Sequence, residues 1–83
     1  MVEEIGEPVS VLASFSQGRV APLRFKWRNR CYQDLTLAST WCDYEGASKR
    51  IYFSVLNTDH ANLYELCFHT RDLQWILVRI HHD

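Results

Sequence analysis

No stretch of this 83-residue chain is long and apolar enough to span a bilayer as a helix. It has no CxxC pair, no internal repeat and no low-complexity segment. Neither sign of charge is in large excess, since the formal net charge is -1. Each absence closes off a class. A globally basic nucleic-acid binder is excluded, although a local basic patch is not. The start, Met1-Val2-Glu3-Glu4, lacks the basic and apolar segments of a leader. The expectation is therefore a cytoplasmic chain with no membrane association. Cys31, Cys42 and Cys67 form an odd, unpaired set, which fits reduced thiols.

What is present is aromatic surface. Eleven residues are Phe, Tyr or Trp, and each buries a large area. That supports a folded globule over disorder. At this length one domain is expected, with a modest buried fraction.

Period two dominates the chain. Residues 1–7 carry three glutamates and a glycine, and read as a short flexible acidic arm before a β domain spanning residues 8–83. Val9, Val11, Ala13 and Phe15 alternate with smaller or polar residues up to a turn at Ser16-Gln17-Gly18. The clearest run is Leu23-Arg24-Phe25-Lys26-Trp27-Arg28. A strand places Leu23, Phe25 and Trp27 on the core face and Arg24, Lys26 and Arg28 on the water face. Pro22 suits the start of that strand. Asn29 tolerates positive φ, so Arg28-Asn29-Arg30 reads as a tight reversal.

Residues 31–44 fit no strict period. A bent or bulged strand is expected, with a short helix from Asp34 as the competing reading. Strand-like runs follow at Arg50–Leu56, Leu63–His69 and Trp75–His81. Loops or turns separate them at residues 45–48, 57–60 and 70–72. The fold class is all-β: an antiparallel meander of five or six strands, strongly bent or closed into part of a barrel. Val11, Phe25, Trp27, Val55, Leu66 and Ile80 belong to the expected core.

Four constellations invite a functional reading, and each has a plain structural one. Arg19 to Arg30 holds five basic residues and no acid. Arg24, Lys26, Arg28 and Arg30 are the candidate phosphate- or partner-binding residues. The structural alternative is a solvated, charged strand face that resists edge-to-edge aggregation. Trp27, Trp41 and Trp75 form either a stacking platform or simply core, while tyrosines rim a groove. Four histidines and three cysteines lack the paired spacing of a zinc site, so no metal and no cofactor are expected. Glu65, Cys67 and His69 alternate onto one strand face as a formal thiol–imidazole–acid set. Neighbours along one face lie about 7 Å apart, too far for easy hydrogen bonding, so no enzyme is expected.

In order, the chain reads Trp27-x-Asn29-Arg30-x-Tyr32, Trp41, Tyr52-Phe53-Ser54-Val55, Leu63-Tyr64-Glu65-Leu66 and Trp75-x-Leu77, with Ile80 near the end. This resembles a family of small bacterial proteins, a domain of unknown function, over most of the chain from about Pro8. Asn29 stands where that family usually has Gly, and Asp34 where it usually has an apolar residue. The resemblance implies no activity. Some members are encoded near error-prone DNA polymerase genes, which implies a link to nucleic-acid metabolism. Two functions are carried forward. One is a small binding or adaptor module that contacts a protein partner or itself. The other is a nucleic-acid-binding accessory domain using the basic strand 24–30. A thiol-dependent enzyme is a remote third.

Overall fold

The computed structural model describes residues 1–57 and 60–82, with His60 and Ala61 described in their backbone only. Its elements are β1 (Val2–Ser16), β2 (Arg19–Trp27), β3 (Arg30–Tyr32), β4 (Leu35–Glu45), β5 (Ser48–Asn57), β6 (His60–His69) and β7 (Gln74–His81). They form one antiparallel sheet in the order β3-β2-β1-β7-β6-β5-β4, curled into a half-barrel. No helix occurs among the described residues, and none is long and apolar enough to cross a membrane.

The expected all-β meander is present, with seven strands rather than five or six. The extra strand comes from residues 31–44. Asp34 sits at φ 56 and turns the chain between β3 and β4, a conformation that Asp tolerates. One bent segment thus leaves the β2 edge and rejoins the sheet on β5. Ala38 is an unpaired bulge residue in β4, between Leu37 opposite Val55 and Ser39 opposite Ser54. The bent, bulged strand is the correct reading, and the helix from Asp34 does not form.

The acidic arm is corrected. Residues 2–7 are the first half of β1, paired with β7 from Val2 opposite His81 to Glu7 opposite Leu77. Composition misleads here because Glu3 and Glu4 are tolerated on an exposed ladder. Ile5 and Gly6 together oppose Val78, and Gly6 takes φ 67 at this bulge, a conformation that glycine adopts without strain.

A third bulge corrects the basic strand. Leu12 faces Arg24 and Ala13 faces Pro22, so Leu23 is the extra residue and is half exposed. Pro22 lies inside β2 rather than before it, and is buried. It has no N–H to give the ladder, so the bulge is where it can be accommodated.

The turns obey sequence chemistry more closely. Arg28 and Asn29 both have positive φ between paired Trp27 and Arg30, a type I′ reversal. Gln17-Gly18 repeats that geometry between β1 and β2. Gly46, with φ 63, opens the two-residue turn between β4 and β5. Of the reversal expected over residues 57–60, residues 58 and 59 lie outside the described residues.

The core fills the concave face. Phe25, Tyr32 and Tyr64 pack together, with Phe25 and Tyr32 stacked 4.7 Å apart. Phe53, Phe68 and Trp75 form a second aromatic group around Leu66 and Leu77, both fully buried. Each such side chain contributes about 1.5–3 kcal/mol on burial. Val55 and Ile80 are buried as expected, while Val11 and Trp27 are partly buried against the cluster.

Candidate functional site

The four candidate cations do not form one surface. Arg24 and Lys26 stand exposed on the convex face of β2. Arg28 is not on that face, because it occupies the type I′ turn at φ 50. Its guanidinium donates to Glu7 Oε2 at 2.8 Å and lies 4.5 Å from the centre of the Trp27 ring. Trp27 Nε1 donates to the other oxygen of Glu7 at 2.9 Å. The Arg28 and Trp27 bonds hold the Glu7 carboxyl below its usual range, and the same Glu7 bond raises Arg28. Arg30 pairs with Trp27 across the hairpin, so it faces the concave side, 5.6 Å from the Tyr32 ring centre. The reversal expected at Arg28-Asn29-Arg30 is present, and it takes Arg28 off the strand face that the alternation of charges assigns to it.

The tryptophans separate in the same way. Trp75 is core, Trp27 is partly buried, and Trp41 is 42 % exposed on the convex face of β4. The Trp41 ring lies parallel to that of Tyr52, its partner on β5, with centroids 5.4 Å apart. Tyr32 and Tyr64 are core rather than rim, and Tyr44 is exposed.

Glu65, Cys67 and His69 share the convex face of β6, but their bonds run elsewhere. The Glu65 carboxylate is buried against Arg79 and faces His81 Nε2 at 3.2 Å. Arg79 also donates to Glu4 at 2.9 Å. Cys67 is 2 % exposed, and burial pushes its thiol pKa up. Burial likewise pushes the adjoining Tyr52 hydroxyl up to about 12. A buried, protonated thiol is a poor nucleophile. No cluster of three His, Cys, Asp or Glu side chains able to hold a metal occurs among the described residues.

The surface that the sequence reading missed is the open seam of the half-barrel. β4 pairs with β5 alone, and β3 shields only the Phe25–Trp27 end of β2. The 11-residue β4 therefore presents one side of its backbone unpaired to the seam. Register sharpens the point. Leu37 sits opposite Val55 and Thr40 opposite Phe53, yet Val55 and Phe53 are buried while Leu37 is 49 % exposed. Cys42 and Tyr44 share this concave face and are also exposed. These residues face the core but have no hydrogen-bonded strand on their outer side, although β2 approaches β4 across the seam. The signal was the irregular period of residues 31–44, which marks a bent edge strand.

No family model, curated protein or solved structure matches the chain.

Proposed function

We propose that the protein is a binding module that acts through protein–protein contacts, with the β4 edge as its docking element and β4 of a second copy as its occupant. The observation that carries this is the exposure of Leu37 and Tyr44 on the core-facing side of an unpaired edge. A long edge with apolar side chains is a template for another strand. Antiparallel pairing of two β4 strands is self-complementary, as a two-fold dimer requires. A net charge of -1 gives little long-range repulsion between copies.

Sedimentation equilibrium across micromolar to millimolar protein tests the reading. The expected result is a dimer mass that becomes monomeric in the double variant Leu37→Lys, Tyr44→Lys, with the β-sheet circular dichroism retained. A wild-type monomer at all concentrations overturns it, as does a dimer that the double variant leaves intact.

The exposure of Arg24 and Lys26, with no carboxylate partner among the described residues, supports a second reading as a nucleic-acid-binding accessory domain. Oligonucleotide binding must then weaken as salt rises, and weaken further on charge reversal at both positions. An absence of binding at low salt removes this reading.

A further inference from the structure

The convex face carries a second feature away from the basic strand. Cross-strand neighbours there form rows. One row is Trp41, Tyr52, Cys67 and Ile76, and the next is Asp43, Arg50, His69 and Gln74. Beyond the second row, the β4–β5 turn and the β6–β7 loop stand side by side. Thr70 ties them together, since its N–H and Oγ1 both donate to the Lys49 carbonyl, at 3.2 and 2.7 Å. Between the two turns lies a cavity of about 320 Å³ whose walls include Ser48, Lys49, Arg50, His69 and Arg71.

The charges in this cavity are unequally used. Arg50 is clamped by Asp43 through two bonds of 2.8 Å and approaches Glu45 at 3.7 Å. Those contacts occupy the Arg50 charge, which two carboxylates share, and Glu45 keeps most of its own charge at the cavity wall. Lys49 and Arg71 have no carboxylate partner among the described residues, although Asp72 also reaches the wall. The remaining donors are an ammonium, a guanidinium fork, a hydroxyl and an imidazole. That set matches an oxyanion with several acceptor oxygens.

The neighbouring row adds a second recognition element. Residues two apart on a strand are about 7 Å apart, so Trp41 and Tyr52 lie one row beyond Arg50 and His69. Tyr52 covers one side of the Trp41 ring, and a further planar ring can continue the stack on the other side. From these observations we infer that the cavity binds the phosphate of a nucleotide through Lys49, Arg71 and Ser48, with Trp41 as the platform for its base. Ser48 and Trp41 lie on the convex face, whereas Lys49 sits opposite Tyr44 on the β4–β5 ladder. Strand pairing uses the β4 backbone with Leu37 and Tyr44, so the two proposals are separated by their variants and readouts: Leu37→Lys reports on mass, and Arg71→Gln on nucleotide binding.

Titration with adenosine 5′-monophosphate, followed by calorimetry and tryptophan fluorescence, tests it. One saturable site is expected, with adenosine and inorganic phosphate each at least tenfold weaker. Lys49→Gln with Arg71→Gln weakens the nucleotide at least tenfold. Trp41→Ala weakens it about tenfold, the scale of one base stacked on an aromatic ring, and leaves inorganic phosphate unchanged. Arg24→Gln with Lys26→Gln changes neither. Competition by a 5′-phosphorylated single strand, but not by its unphosphorylated form, identifies a strand end as the source of the phosphate. Failure of both to compete leaves the free nucleotide as the source. The inference is overturned if the nucleotide shows no saturable binding at millimolar concentration. It is also overturned if binding is unchanged in the Lys49/Arg71 variant with wild-type circular dichroism.

Discussion

Strands β6 and β4 lie two places apart in the sheet and have opposite surroundings. In β6, every residue from Tyr64 to Phe68 is buried, including Glu65 on the convex face. In β4, no residue is buried, although Leu35, Leu37, Trp41, Cys42 and Tyr44 make it no less apolar in outline. The side chains of the two strands do not account for this. β6 has β5 and β7 on either side, while β4 has β5 alone. A strand's burial is set by its neighbours as much as by its own residues. A half-barrel that stops short of closure leaves its last strand with a core-facing side and no core to face.

The largest expected effect tests that contrast directly. Leu66 is 0 % exposed at the centre of the sheet, and Leu37 is a core-facing leucine at the edge. Leu66→Ala should cost about 2–5 kcal/mol, as a buried leucine truncation does when its site cannot collapse. Leu37→Ala should cost less than about 1 kcal/mol, because half of the side chain is already in water. Urea unfolding of the two variants at low protein concentration measures both. Equal losses would mean that the seam is covered in solution by something that a monomer does not provide.

A smaller effect concerns the polar side of the same buried strand. Glu65 sits between Arg79 and His81, with Arg79 shared by Glu4. Glu65→Gln keeps the shape and one acceptor oxygen but removes the charge that Arg79 faces. Unfolding free energy should fall by about 1–3 kcal/mol, since a charge-assisted bond is lost at a largely desolvated site. The matched change on β4, Asp43→Asn, should cost distinctly less because the Asp43–Arg50 pair is open to water. A larger loss at Asp43 than at Glu65 would reverse the ranking of centre and edge.

How much of this was legible in the sequence follows the same division. The alternations of β5, β6 and β7 appear cleanly because both neighbours of each strand hold one face against the core. Phe53, Val55, Tyr64, Leu66 and Phe68 fall where period two puts them. The Arg28-Asn29 reversal was readable because positive φ selects few residues. Bulges were not. Leu23 matches the alternation of Phe25 and Trp27 and still points away from the core, because the ladder slips by one residue beside Pro22. Nothing local encodes that slip. The candidate cations divide between two faces for a related reason: a period counted through Arg28 and Arg30 runs past the end of the strand and around a turn. The cavity between Lys49 and Arg71 joins residues from two hairpins, and only the sheet's register brings them together.

The buried strands have a weak point of their own, and it gives a prediction of opposite sign. β6 and β7 are joined through Leu73, which is 74 % exposed and held at φ 58. The turn is closed by the Leu73 N–H donating to the His69 carbonyl at 2.8 Å. A leucine at positive φ costs roughly 1–2 kcal/mol, and Asn tolerates that conformation better. Leu73→Asn should therefore raise unfolding stability by about 0.5–1 kcal/mol, with the backbone bond retained. Thermal and urea unfolding measure it. A loss of stability would show that the exposed leucine is held by a contact outside this monomer.

The smallest effect is a dependence on pH confined to the edge. Hydrogen bonds from Arg50, the largest cause, hold the Asp43 carboxyl below its ordinary range, and Tyr52 Oη adds a longer bond at 3.3 Å. A carboxylate whose folded pKa is depressed adds stability that is fully present above its unfolded pKa. That contribution is lost as the pH falls through the folded value. Asp43 and Arg50 face each other across β4 and β5, so acidification below about pH 4 removes one of the links that tie the edge to the sheet. Amide exchange should then show protection in β4 declining before protection in β6. In Asp43→Asn the β4 amides should already be less protected at neutral pH and should change less on acidification. If β4 and β6 instead lost protection together in both proteins, the edge would open only with the whole sheet. The difference between the two strands would then lie in exposure alone and not in local stability.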